Sequence, residues 1–313
     1  MKDSPRLLYG CIEAGGTKFV CGIADSSGKW LEQKRFPTTD PVSTLGQVTR
    51  FLAGGQARHG ELAAIGIASF GPIELDRASE HWGSLLATPK PGWSGISLVR
   101  PLTQAFAVPI ALDTDVNAAA LAEAQMRANS SIDSLVYITV GTGIGGGAVF
   151  RGQAIHGRSH PEMGHLIPPR HPLDADYAGC CPYHGSCVEG LASGPAIVAR
   201  WGKPLSDLPD GHPAHEIIAW YLGHLASTIL AVLSPECIVF GGGVMATPGL
   251  MDRVRAQALR VAGDYLISSG GNRTKIEEPR LGSVAGLEGA LLLARRAAAA
   301  ARAISSQMAS SDV

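Results

Sequence analysis

Apolar runs alternate with glycine-rich turns along this chain. Residues 7–11 are apolar, Glu13-Ala14-Gly15-Gly16-Thr17-Lys18 forms a glycine turn, and residues 19–24 are apolar again before Ser26-Ser27-Gly28. That order predicts a β-hairpin. The pattern recurs, with a strand over 135–140, a turn at Gly141-Thr142-Gly143-Ile144-Gly145-Gly146-Gly147, and a return strand from 148 to 150. Two copies of strand, Gly/Thr turn and strand predict two related lobes, a common way to hold a nucleotide. Elsewhere the pattern predicts strands over 63–68 and 109–112, an alanine-rich helix over 117–126 and a long helix over Ala214–Leu233. A further strand over 237–240 enters Gly241-Gly242-Gly243. Strands alternating with helices indicate an α/β class. An Ala/Leu/Arg helix over 286–304 precedes a polar tail, 305–313, expected to be flexible.

With 313 residues, 45% hydrophobic and 17% charged, the chain is long and apolar enough for two domains or one large one. Glycine is in excess, at 39 residues, yet no G-x-y period is present, which excludes collagen. The excess therefore belongs to turns or to places where backbone approaches a ligand. A net charge of −1, with no basic run longer than Arg295-Arg296, argues against a nucleic-acid partner. The charged, proline-containing start MKDSPRLLYG is unlike a signal peptide, and no stretch is expected to reach the ~20 apolar residues of a membrane span. The chain reads as cytoplasmic, with no membrane partner.

Gly141-Thr-Gly143-Ile-Gly-Gly146 satisfies G-x-G-x-x-G, but a dinucleotide fold needs a helix to open at the third glycine, and here a strand-like segment follows. No P-loop motif occurs either. The better reading is a pair of hairpin turns whose backbone N–H groups, with the Thr17 and Thr142 hydroxyls, face phosphates.

Three of the six cysteines lie between 180 and 187, which in a reducing compartment points to metal before disulfides. Cys181-Pro-Tyr-His184-Gly-Ser-Cys187, with His165 upstream, offers the closed Cys2His2 set of a structural zinc site. Cys180, His171 and His160 are nearby competitors for a ligand place. Cys11, Cys21 and Cys237 sit in apolar strands and read as core.

Asp113 and Asp115 flank Thr114 where a strand gives way to a helix, the end of a strand at which α/β active sites collect. Alternation puts both on one side, and a helix cap would account for one of them, so the pattern leaves the choice open. Glu162 and Glu189 flank the presumed metal loop, where fixed carboxylates would accept hydrogen bonds from a polyhydroxyl ligand.

Taken together, Glu13-Ala-Gly-Gly-Thr-Lys18, Thr114-Asp-Val-Asn117, Gly141-Thr-Gly-Ile-Gly145, Pro161-Glu-Met-Gly-His165, the Cys181 to Cys187 cluster with Glu189-Gly-Leu-Ala-Ser193, and Gly241-Gly-Gly-Val244 resemble the ROK sugar kinases, and within them the bacterial fructokinases. The resemblance implies an actin/hexokinase-like, ribonuclease H-like α/β fold of two lobes, with the active site in the interdomain cleft. It divides the chain into a small lobe, 1–116, joined by the C-terminal helix at about 287–304, and a large lobe, 117–286, carrying a zinc loop over 160–190.

By position, Asp115 resembles the general base, and Asp115, Glu162, His165 and Glu189 resemble sugar contacts. Gly15, Gly16, Thr17, Lys18, Gly141, Thr142 and Gly143 match phosphate loops, and Gly241, Gly242 and Gly243 the adenosine side. His165, Cys181, His184 and Cys187 match the ligands of a structural zinc. ATP, Mg2+ and a homodimer are implied as well. Three departures from the wider family, Glu13 in place of Asp, Thr114 in place of Asn, and C-x-x-H-x-x-C in place of C-x-C-x(4)-C, are fructokinase-like.

The competing expectations are a kinase for mannose, glucose or an N-acetylhexosamine, and a sugar-sensing repressor. The repressors carry a winged helix-turn-helix before the first glycine motif, which here begins at residue 13. Thr88-Pro-Lys-Pro-Gly-Trp93 is expected to close over the sugar.

Overall fold

The structure, a computed structural model, describes residues 7–127, 132–268 and 274–311. Ten strands form two five-stranded sheets. The first contains β1 (Leu8–Ala14), β2 (Lys18–Asp25), β3 (Trp30–Pro37), β4 (Leu62–Ser69) and β5 (Ile110–Thr114) in the order β3-β2-β1-β4-β5. The second contains β6 (Ser134–Val140), β7 (Ile144–Phe150), β8 (Gln153–Ala154), β9 (Cys237–Gly241) and β10 (Lys275–Glu277), ordered β8-β7-β6-β9-β10. Each sheet has an antiparallel three-stranded half and two further strands parallel to the first. The two hairpins expected from the sequence are the β1/β2 and β6/β7 pairs, and the two sheets share one strand order.

The described residues fall into two compact units. One comprises the chain up to Ala122, Gly157–His160 and the chain from Val284; the other comprises Glu123–His156 and Pro161–Ser283. The expected division at 116/117 and the observed one at Ala122/Glu123 both lie within one continuous helix, α3 (Asp115–Met126). The expected second crossing near 286 lies at Ser283/Val284.

In the first unit, α1 (Pro41–His59) and the short α2 (Arg100–Ala105) pack with the sheet around Leu8, Ile12, Phe19, Ile23, Leu52 and Ile65. Asp40 caps α1 by accepting the Ser43 N–H at 2.9 Å, and Pro41 occupies its first turn. A long C-terminal helix, here α8 (Ala285–Ser311), lies directly on β4. Gly66 makes this possible, because a Cβ there would meet the Ala290 carbonyl oxygen at 1.9 Å. Gly289 of the same helix lies on α3, where its Cβ would stand 2.2 Å from the Ala118 carbonyl oxygen.

The expected flexible tail, 305–313, is helical through Ser311. The Ser305 and Ser306 hydroxyls donate to the Ala301 and Arg302 carbonyls at 3.0 and 2.9 Å. Residues 312–313 lie outside the described residues.

In the second unit, α4 (Val188–Ala192), α5 (Gly194–Trp201), α6 (Ala214–Leu233) and α7 (Leu250–Ser268) build the core with β6, β7 and β9. Contrary to the expectation from the sequence, α6 is long and apolar enough to cross a membrane, with a mean hydropathy of 1.5. Its apolarity is used internally, for 61% of that window is buried, including Tyr221, Leu222 and Leu225 against α4 and α7.

Candidate active site and metal centre

The first glycine turn follows β1 because register closes the hairpin tightly: Ala14 faces Phe19, and the Gly15 N–H donates to the Lys18 carbonyl at 2.9 Å. A Cβ on Gly15 would stand 2.8 Å from that same oxygen, and the space around Gly16 is open. Thr17 and Lys18 are exposed. The neighbouring Thr38 steadies the turn, its hydroxyl donating to the Gly15 carbonyl at 2.7 Å. Burial pushes the Glu13 carboxyl above the usual range, opposed by Lys18 and Arg35.

Gly141, Thr142 and Gly143 occupy the corresponding place after β6. Gly143 accepts from the Gly141 N–H at 2.9 Å, and Thr142 is exposed. Beside this turn, β9 ends at Gly241, which pairs with Thr139. Gly242 has φ +93°, and a Cβ on it would meet the Val140 carbonyl oxygen at 2.4 Å, so glycine is required there twice over. Gly243 opens into free space. The structure thus brings the 141–143 and 241–243 turns together at the carboxyl ends of neighbouring parallel strands, where α/β ligand sites form. Other glycines serve packing. Gly146 and Gly164 let β7 touch the turn at Met163–His165: their Cβ atoms would meet Met163 Sδ at 2.7 Å and the Ile144 carbonyl oxygen at 1.7 Å.

The structure separates the two aspartates that the pattern left equivalent. Asp113 is buried, and its Oδ1 accepts from the Thr114 N–H and from Asn117 Nδ2, both at 2.8 Å. The helix cap is Thr114, whose hydroxyl accepts the Asn117 N–H at 3.1 Å, so neither acid serves as the cap. Asp115 opens α3 and is partly exposed.

His165, Cys181, His184 and Cys187 converge, with one donor atom from each lying within 4.8 Å of the others. The local fold brings this about: paired backbone bonds between Cys181 and Gly185 close a turn, and Cys187 caps α4 by accepting the Gly190 N–H at 3.4 Å. The donor set fits zinc. Bonds of about 2.0–2.1 Å to nitrogen and about 2.3 Å to sulfur give tetrahedral edges of about 3.3–3.4 Å between nitrogens and about 3.5–3.6 Å from nitrogen to sulfur. The two Nδ1 atoms stand 3.3 Å apart, Cys187 Sγ lies 3.5 Å from His165 Nδ1, and Cys181 Sγ lies 3.8 Å from each imidazole. Burial pushes the Cys187 thiol up to about 11, so its thiolate needs a cation beside it.

The competitors are engaged elsewhere. His160 Nε2 accepts the Ile73 N–H at 3.2 Å, His171 Nδ1 accepts the Leu173 N–H at 3.1 Å, and Cys180 is exposed.

Glu162 Oε2 faces His165 Nε2 at 4.0 Å, and its side chain is 47% exposed. Glu189, in the first turn of α4, accepts the Ile144 N–H at 2.9 Å. Sequence reasoning overlooked the support beneath these residues. Arg200 pairs with Asp174 at 2.7 Å and donates to the Leu191 carbonyl, tying the end of α4 to the metal loop, while Tyr221 donates to Asp174 at 2.7 Å. The available signal was an isolated Arg in an apolar helix. Trp93, expected in a segment closing over the sugar, is fully buried, tilted against Phe19 and edge-on to Phe70, and donates to the Thr39 carbonyl at 2.9 Å. It anchors its segment, leaving residues 91 and 92 exposed.

The chain is similar to known proteins over nearly its whole length. A fructokinase from Zymomonas mobilis is 49% identical over 94% of this chain and 98% of its own. A putative fructokinase from Bacillus subtilis is 42% identical over 93% and 96%. A ROK family glucokinase from Streptomyces griseus, solved with glucose and AMPPNP, superposes with a TM-score of 0.69 at 25% identity, covering 93% of this chain and 99% of that one. The fold is the two-lobed actin/hexokinase-like fold of these kinases. The ROK family pattern spans residues 9–297, and this chain belongs to the ROK family.

Proposed function

We propose that the protein is an ATP-dependent fructokinase, transferring the γ-phosphoryl group of ATP to the 6-hydroxyl of D-fructose to give fructose 6-phosphate and ADP. The observation that carries the reading is the extensive similarity, over nearly the whole chain, to fructokinases. It is supported by Gly/Thr turns with open tips at the ends of β1 and β6.

Phosphoryl transfer depends on positioning and on neutralising charge. On this reading the N–H groups of Gly15–Lys18 and Gly141–Gly143 receive phosphate oxygens, and Gly241–Gly243 lies on the adenosine side. Asp115 orients the sugar hydroxyl and takes its proton, while Glu162, His165 and Glu189 accept from or donate to the other hydroxyls. Mg2+, which binds mainly through substrate phosphates and water, supplies charge neutralisation. The enzyme works as a homodimer.

The test is ADP release by purified protein with Mg-ATP and, separately, fructose, mannose, glucose and N-acetylglucosamine. Fructose is expected to give the highest kcat/KM. Another hexose in first place reassigns the substrate, and no sugar-dependent ADP from any of them refutes the kinase reading.

Zinc is the proposed occupant of the Cys2His2 centre, held by His165, Cys181, His184 and Cys187. Because all four places are filled by protein, its contribution is structural. Cys187→Ser or chelation is expected to release about one equivalent of zinc and to raise the KM for sugar through disorder of the 162–189 segment. Metal analysis beside sugar kinetics checks this, and unchanged sugar affinity in metal-free protein counts against it.

A further inference from the structure

The second glycine turn is gripped at both ends by a single short stretch of chain. At one end the Gly194 N–H, where α5 begins, donates to the Gly141 carbonyl at 2.7 Å. At the other the Ile144 N–H donates to Glu189 Oε2 at 2.9 Å. The carboxylate lies against the turn itself, since a Cβ on Gly143 would stand only 2.6 Å from that oxygen. Within the turn the bond from the Gly141 N–H to the Gly143 carbonyl adds restraint. Its glycines bring no side chains to hold one conformation, so the backbone has wide freedom unless it is fixed from outside. Glu189 is fixed in its turn. It lies two residues after Cys187, which caps α4, and its own carbonyl accepts the Ser193 N–H at 3.1 Å.

We infer that Glu189 is a positioning residue for the nucleotide as well as a sugar contact: by holding the Ile144 N–H it keeps the Gly141–Gly143 turn in its phosphate-receiving form. Nucleotide affinity then depends on this side chain even with no sugar present. The inference rests on the proposed kinase function. Ile144 is 2% exposed, and its N–H loses this acceptor when the Glu189 carboxylate is removed. An unsatisfied buried donor corresponds to a loss on the order of tenfold to a hundredfold in the equilibrium it supports.

The experiment is calorimetric titration of the zinc-loaded protein with Mg-ADP in the absence of sugar, for the parent, Glu189→Gln, Glu189→Ala and Glu189→Asp. Glutamine keeps an oxygen that can accept the Ile144 N–H, so Glu189→Gln is expected to bind Mg-ADP within about threefold of the parent while its sugar KM rises. Glu189→Ala is expected to bind Mg-ADP about tenfold to a hundredfold more weakly. Glu189→Asp retains the charge but is one methylene too short, and it is expected to weaken Mg-ADP binding likewise. It supplies the measurement if the alanine variant fails to fold.

Rescue by glutamine of nucleotide binding but not of sugar binding is what a merely structural role would not produce. Parent-like Mg-ADP affinity in the alanine or aspartate variant, or equal weakening in the glutamine and alanine variants, overturns the inference. Absence of Mg-ADP binding by the parent instead overturns the kinase reading on which it rests.

Discussion

Asp115→Asn is expected to bind fructose and Mg-ATP much as the parent does and to turn over about 10²- to 10⁴-fold more slowly, the usual loss when a positioned acid or base is removed. The geometry makes this substitution informative. Asp115 begins α3 as a consequence of Thr114, whose hydroxyl caps the helix, and of Asp113, which holds the Thr114 N–H and the Asn117 amide beneath it. The platform therefore survives when Asp115 alone is changed. Asn retains the volume and one acceptor oxygen but cannot take a proton. The loss should fall in kcat, with sugar affinity from equilibrium binding little altered. A variant with near-parent kcat would remove Asp115 from the proton transfer. Asp113→Asn is the useful contrast, because it disturbs the platform and should lower stability together with activity.

The second large effect concerns folding. Glu123 and Arg127, one turn apart near the end of α3, are both completely buried and form an ion pair. The Glu123 carboxylate also accepts the Arg280 N–H at 3.1 Å and the Leu281 N–H at 2.8 Å. Arg127 further donates to the Glu278 carbonyl at 3.2 Å and lies 3.4 Å from Glu277. Replacing Glu123 leaves buried Arg127 with only the longer contact to Glu277, and removing one partner of a buried pair costs about 3–5 kcal/mol. That is a large part of the ~5–15 kcal/mol that separates folded from unfolded states in most proteins. Glu123→Ala is accordingly expected to unfold at much lower denaturant and to expose the Arg280 and Leu281 amides to rapid hydrogen exchange. Replacing both partners with apolar residues, Glu123→Leu with Arg127→Met, should recover much of the loss, since the unpaired charge is gone. Normal protection of the two amides in Glu123→Ala would show that the cluster contributes little.

The parts of the fold legible in the sequence were those with strong local signals. The β1/β2 and β6/β7 hairpins announce themselves because an apolar strand, a Gly/Thr turn and a second apolar strand are contiguous. The span of α6 is read correctly, although its apolarity exceeds what was expected. By contrast α1 contains Gly46, Gly54 and Gly55, which weaken any helical reading, and Gly55 is explained only by packing: a Cβ there would lie 1.7 Å from Ile23 Cδ1. The strand β3 lies at the edge of its sheet and carries Glu32, Gln33, Lys34 and Arg35 in succession, so no alternation reveals it.

The metal centre behaves similarly. Spacing identifies the Cys181 to Cys187 segment, but the choice of His165 over His160 and His171 depends on which histidine the Met163–His165 turn delivers and on the partners the others find at Ile73 and Leu173. Asp113 and Asp115 share a face in any two-residue repeat, and only the three-dimensional hydrogen bonds tell the scaffold acid from the accessible one. The role of Trp93 in the 88–93 segment is not legible from the sequence, since only the fold shows its indole built into the core and donating to the Thr39 carbonyl.

The placement of α8 on β4, with Gly66 and Gly289 allowing backbone to meet backbone, has a consequence for how the chain matures. The second unit, between Glu123 and Ser283, has its strands and helices in hand before α8 has been translated. The first unit starts earlier but lacks the helix that covers its central strands until residues 285–311 have been made. During synthesis the amino-terminal half waits, with apolar strands uncovered, for its own carboxyl-terminal partner. A chain ended at residue 284 and held on the ribosome by a linker long enough to clear the exit tunnel should therefore have a protease-resistant middle and a protease-sensitive beginning.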